Sequence, residues 1–221
     1  MAGLAHLLLG DGRLPVGAYT YSAGLEPAVA AGLTRDRIPA LLRARLHTAA
    51  VTEAAAAVLA LRAAGRDPVD YGPVQQALAA RTPAAPLREA SATLGRGVQR
   101  LARRLDPGHP AVTALSGIGP RPLRPVALGA LGAVMRVTEE ELARGVVYDE
   151  LQTITSAALK LLPGDPLDSV VWILDVEPHA AAAVAEALAV RTPAGLPART
   201  PPLTEQWALE HAQRERRLFL A

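Results

Sequence analysis

Proline and glycine punctuate this sequence at roughly helix-length intervals, and between them run alanine, leucine and valine with almost no aromatic ring. Hydrophobic residues make up 50% of the 221 but aromatics only 3%. A core without rings has to be filled by short aliphatic side chains, and alanine lets helix backbones approach closely, so tight helix packing is favoured. No repeat or low-complexity linker divides the chain. The expectation is one all-α domain over residues 1–221, a bundle of about nine or ten helices.

The elements follow from caps and breakers. Leu4 to Leu9 reads as a short helix stopped by Gly10 and Gly12, and a second starts close to Pro27 and closes at Gly32. Asp36 is expected to cap a long helix through Leu42, Leu46, Val58 and Leu61 that ends at Gly65. Val74 to Ala80 and Pro86 to Leu105 give two more, His109 to Arg121 reads as loop, and Pro125 opens a helix of small residues. Thr138 and Glu141 form a capping box for a long helix ending at Pro163-Gly164. Val170 to Leu174 is expected as a buried helix and Ala180 to Val190 as another. Thr204 is expected to cap the last, so that residues 204–221 are a final helix and tail.

Several function classes are excluded or disfavoured. Without cysteine there is no disulfide, thiolate metal site or cysteine nucleophile, which fits a cytoplasmic protein. Met1 to Leu9 has no basic residue ahead of its apolar run, and Ala54 to Leu61 is far shorter than the roughly 20 residues of a membrane span, so no membrane role is expected. Net charge is only +2 although the pI is 9.4. The Arg96, Arg100, Arg103 and Arg104 group reads as a solvated helix face rather than a nucleic-acid surface.

Chemistry-bearing patterns are sparse. His6, His47, His109, His179 and His211 show no i, i+3 or i, i+4 pair and no acid at ligand spacing, so no metal site within one chain is expected. A symmetric subunit interface is the remaining route to one. Gly10-Asp11-Gly12 lacks the Lys-Ser/Thr of a phosphate loop. Glu53, alone among alanines, is expected to bond or pair with a neighbouring helix. No catalytic constellation appears, so an enzyme is not expected.

The two ends stand out instead. Asp11 to Glu26 combines helix breakers with apolar Leu14, Tyr19 and Tyr21, the surface chemistry of protein interfaces. The tail places the only Phe, Phe219, beside Arg217 and Leu218. An isolated domain would lose such an end to solvent, so a partner chain is expected to cover it, the alternative being that the tail packs back on its own bundle.

Asp11-x-x-Leu14-Pro15-Val16-Gly17-x-Tyr19-x-x-Ser22-x-Gly24-Leu25-Glu26 resembles the N-terminal signature of UreF, the accessory protein family for nickel insertion into urease. His211, Arg217, Leu218 and Phe219 resemble its closing pattern. Leu87 to Ser91 with Gly95, Pro125-Val126 with Gly129, and Ser156-Ala157-Ala158 match internal helices in order. The resemblance implies an all-α homodimer without catalysis of its own. It would bridge a UreD/UreH-type protein and the GTPase UreG, for GTP-dependent delivery of nickel to apo-urease. It implies no cofactor held directly, nickel and GTP being handled by the partner complex. It also implies partner-binding roles for Asp11, Leu14, Pro15, Gly17, Tyr19, Tyr21, Ser22, Glu26, His211, Arg217, Leu218 and Phe219, with residues 1–23 flexible or ordered by the partner. The family's usual Arg-Leu-x-Pro-Leu-Gly-Gln is replaced here by Lys160-Leu161-Leu162-Pro163-Gly164-Asp165-Pro166-Leu167. Two other readings remain: a ligand-binding helical regulator, which would use the Arg96 to Arg104 group on DNA, and a small all-α enzyme, which would need converging histidines or acids.

Overall fold

The prolines and glycines set the helix ends. In the computed structural model, which describes residues 4–12, 14, 21–199, 201–213 and 218–219, α1 (Ala5–Leu9) stops at Gly10 and α2 (Leu25–Ala30) carries Pro27 in its first turn. A continuous helix of 30 residues follows: a 3-10 turn at Arg35–Arg37, α3 (Ile38–Arg45), a π-helical turn at Leu46–Ala50, and α4 (Val51–Ala64). Then come α5 (Gly72–Ala80), α6 (Ala85–Leu105), α7 (Pro110–Ala114), α8 (Arg124–Met135), α9 (Glu139–Leu161), α10 (Asp168–Asp175), α11 (Glu177–Ala189) and α12 (Pro202–Ala212). No strand occurs among the described residues, and the fold is all-α. Against the nine or ten helices expected, the additional α segments among the described residues are α7 and the division of the long helix into α3 and α4 at the π turn.

The axis of the bundle is α4. Val51 and Ala54 to Val58 are fully buried, so apart from Thr52, Glu53 and Arg62 this helix is apolar, as suits one enclosed by others. It packs on α8, α9 and α11. The tightest approach is at Gly129 of α8, where a Cβ would lie 2.4 Å from Ala60 Cβ and 2.7 Å from the Ala57 carbonyl oxygen. Gly95 of α6 is likewise hemmed in, since a Cβ there would run into the Pro122 carbonyl. The stretch Arg35–Ala64 is long and apolar enough to cross a membrane, and 67% of its most apolar window is buried inside the bundle.

Thr138 accepts from the Glu141 N–H at 3.2 Å and Glu141 accepts from the Thr138 N–H at 2.7 Å, the reciprocal box expected at the start of α9. Elsewhere the local expectations need correction. Asp36 does not cap α3: it lies within the 3-10 turn and accepts from the Thr34 hydroxyl at 2.6 Å. Thr204 is not the cap of α12, because Pro202 opens that helix a half-turn earlier with its φ already preset, leaving Thr204 buried within it. His109 to Arg121 is not loop, since the His109 ring accepts from the Ala111 N–H at 3.2 Å and, with Pro110, starts α7. The helix over Val170 to Leu174 is real but not buried. Trp172 is buried and Ile173 packs half-buried against the core, while Leu167, Val170, Val171 and Leu174 are exposed.

Replacing Gly129 by Val is expected to destabilise the fold by about 1–3 kcal/mol, because overpacking must force α4 and α8 apart; a melting curve within error of wild type would refute the close contact.

Candidate functional site

The two ends of the chain meet. Ala23 (φ 53°) and Gly24 (φ 83°) are both left-handed, a reversal that brings the chain sharply into α2. Gly24 is needed there twice over, since a Cβ would also lie 3.1 Å from Thr204 Cγ2 of α12. Ser22, fully buried, accepts the Glu26 N–H on its hydroxyl at 3.3 Å. This fixes Glu26 in the first turn of α2, where the helix dipole favours a carboxylate.

From that position Glu26 holds the tail. Its Oε1 accepts the Leu218 N–H and its Oε2 the Phe219 N–H, both at 2.9 Å. His211 of α12 is 1% exposed, with Nε2 3.3 Å from the Phe219 carbonyl oxygen and 3.6 Å from Glu26 Oε2. Two acceptors face that nitrogen, so it carries the proton; Nδ1 is buried without a partner. The Phe219 ring enters the core, with Lys160 Nζ 5.3 Å from its centroid, while Leu218 is 75% exposed. Phe219 is thus covered within its own chain, and Leu218 is the apolar residue the clasp presents outward.

The N-terminal strap continues along α9. The Gly12 N–H donates to Gln152 Oε1 at 2.8 Å, and Leu14 packs half-buried on the core. Asp11 is half-buried beside it. Of the expected contact residues, Ser22, Glu26, His211, Leu218 and Phe219 are brought into one site, with Tyr21 leading into it from the core. Asp11 and Leu14 lie on the strap, and Pro15, Gly17, Tyr19 and Arg217 fall outside the described residues.

Beneath Tyr21 lies an ionic cluster. Arg45 Nε donates to Glu150 Oε1 at 2.6 Å, and Arg124 Nη2 to Asp149 Oδ2 at 2.6 Å. All four are buried. Consecutive Asp149 and Glu150 on α9 thereby tie it to α8 and α3. Both guanidinium groups are held above their ordinary range by these carboxylates despite burial, which acts the other way. Tyr21 is pushed up by burial. Glu53 shares the pocket with Tyr21, Arg45 and Arg124 and is raised to about 7, first by burial and then by Glu150, against the pull of Arg124 and Arg45. It stands as a third acid beside two arginines that already have partners.

The altered loop is clamped by Arg35. Its guanidinium donates to the Leu162 carbonyl at 2.6 Å, the Asp165 carbonyl at 2.5 Å and Asp168 Oδ2 at 2.9 Å, and lies 4.8 Å from the Trp172 ring centroid. Gly164 leaves room for it, since a Cβ there would sit 2.4 Å from Arg35 Cζ. Neither Arg35 nor the Arg45–Glu150 and Arg124–Asp149 pairs is singled out by the sequence. The available signal is a charge flanked by core positions: Arg45 between Leu42 and Leu46, and Asp149-Glu150 between Val147 and Leu151. By contrast Arg96, Arg100, Arg103 and Arg104 are all exposed on the outer side of α6, as a solvated face should be.

Among the described residues no group of three or more histidine or acidic side chains is arranged to hold a metal ion. Fold and site define an all-α helical-bundle protein in which a polar clasp joins the N-terminal segment to the tail. The UreF family model matches residues 34–177. A urease accessory protein UreF of Mycobacterium sp. (strain JLS) is 38% identical over 218 residues, covering 96% of each chain, and one of Mycobacterium marinum is 35% identical, covering 99% of each. A third, from Mycobacterium tuberculosis (strain ATCC 25618 / H37Rv), is 34% identical over the full length of both. The chain belongs to the UreF family of urease accessory proteins.

Because the folded protein binds a proton at Glu53 more tightly than the unfolded chain, that residue's contribution is fully present below about pH 4.5 and is lost as pH rises through about 7. Glu53→Gln should therefore gain on the order of 1–2 kcal/mol over wild type at pH 8 and little at pH 5; equal unfolding curves for the two proteins at pH 8 would contradict this.

Proposed function

We propose that this chain is a non-catalytic scaffold that bridges a UreD/UreH-type protein and a UreG-type GTPase during GTP-dependent insertion of nickel into apo-urease. The observation that carries the reading is the clasp. Glu26, His211 and Phe219 weld the N-terminal segment to the tail, so that residues nearly 200 apart in sequence form one surface with Leu218 at its outer edge. Leu218 offers exposed apolar surface on a backbone already hydrogen-bonded to Glu26, which a partner can cover at a low ordering cost. The UreD/UreH-type partner would take this surface, together with Asp11, Leu14, Tyr21 and Ser22 behind it and Pro15, Gly17, Tyr19 and Arg217 in the adjoining segments.

In this reading the chain performs no bond chemistry, GTP and nickel are handled by the partner complex, and the protein works as a cytoplasmic homodimer without nucleic acid or membrane. The exposed apolar ridge of α10, Leu167, Val170, Val171 and Leu174, supports a life in complexes. The Arg35 clamp holds the neighbouring loop in one shape, which suits a second contact surface.

The test is co-purification with the UreD- and UreG-like proteins of the same organism. The full chain should hold both, a chain ending after Arg214 should lose the UreD-type partner, and Glu26→Ala should weaken that capture about tenfold or more with helical content unchanged. A full chain that captures neither partner would sink the proposal.

A further inference from the structure

The sequence separates His47 and His179 by 132 positions, and the fold brings them together. His47 Nε2 lies 3.2 Å from His179 Nδ1, with ring centroids 5.2 Å apart and planes at 82°. His47 is exposed and His179 half-buried.

Both backbones are rigidly placed. His47 sits in the π-helical turn Leu46–Ala50, between the buried Leu46 and Ala50. His179 lies in the first turn of α11, three residues after the buried Val176. A π turn re-aims side chains relative to a regular helix and recurs at functional sites. Here it points His47 across to α11. On the other side of the turn, Arg199 donates to the His47 carbonyl at 3.4 Å and pairs with Glu186, so the nearest carboxylate among these contacts is already engaged.

A hydrogen bond between two imidazoles in contact with water contributes little to stability, because water offers each ring the same bond. The spacing has a better use. Two nitrogens bound to one late first-row divalent ion at about 2.0–2.1 Å are separated by about 2.9 Å for cis octahedral and about 3.3 Å for tetrahedral geometry. The observed 3.2 Å falls in that interval. Imidazole torsions are soft, so turning the rings lets both lone pairs converge with the helices unmoved.

We propose that His47 and His179 form a two-nitrogen binding site for a late first-row divalent transition-metal ion on the outer face of the bundle, water completing the coordination. Imidazole selects such ions over magnesium and calcium, which prefer oxygen. The site is separate from the clasp and does not rest on the proposed scaffold role. Metal binding would stand if partner capture failed, and partner capture would stand if it did not occur.

The experiment titrates metal-free full-length protein with Ni2+ and, separately, Zn2+ by calorimetry, alongside His47→Ala, His179→Ala and, as a control, His109→Ala. Wild type and the control should bind one ion per chain. Each of the two test variants should bind at least about tenfold more weakly, since even outer-shell partners of a metal are worth 10–100-fold. Nuclear magnetic resonance of the wild-type imidazoles gives a readout that needs no variant: Zn2+ should shift the His47 and His179 ring signals before any other. Wild type without binding, variants that bind as wild type does, loss in only one of the two, or Zn2+ shifting other histidines first would each overturn the site.

Discussion

The rest of the structure depends on how closely α8 can lie against α4. At Gly129 the two backbones come near enough that no side chain fits between them, and Ala57 and Ala60 supply the matching surface. Close-packed interiors gain their energy from many weak contacts, which decay quickly with separation. A core of alanine, leucine and valine has no large rings to fill wide gaps, so the helices themselves must move in. That accounts for both the scarcity of aromatics and the placement of glycine at the contacts of α6 and α8.

Into this apolar centre the chain inserts charge. Arg45–Glu150 and Arg124–Asp149 are buried pairs, and such pairs add little net stability over apolar residues of the same volume, although removal of one partner is severe. Their value here is alignment: Asp149 and Glu150 on neighbouring positions of α9 reach two different helices, which defines the rotation of α9 in a core whose interchangeable aliphatic side chains define it poorly. Glu53 is the excess acid in that arrangement, and burial first, then Glu150, holds its carboxyl above the usual range.

The clasp has the same logic at the surface. Glu26 uses both carboxylate oxygens on two successive backbone amides, a charge-assisted contact stronger than neutral hydrogen bonds. Leu218, its amide held by Glu26, stays exposed at low cost in ordering when a partner arrives. Family membership ties the chain to urease, and the clasp offers a physical reason for keeping Ser22, Gly24, Glu26, His211 and Phe219 in one protein.

Much of this was legible locally. Proline and glycine marked most helix ends, Thr138 and Glu141 announced their box, and the two end motifs named the residues that form the clasp. These signals are short-range, and a cap or a turn acts within one or two turns of chain. The misreadings at Asp36 and Thr204 came from a neighbouring proline or a 3-10 turn taking over the role of cap. What the sequence alone determined, therefore, was the helical class, the main boundaries and the two end motifs. Only the tertiary structure decided that those ends clasp each other, that Arg45, Arg124, Asp149 and Glu150 converge, that Arg35 seizes the Leu162 to Asp168 loop, and that His47 meets His179. Each joins positions far apart in the chain, and helical periodicity carries no information about which faces of which helices will meet.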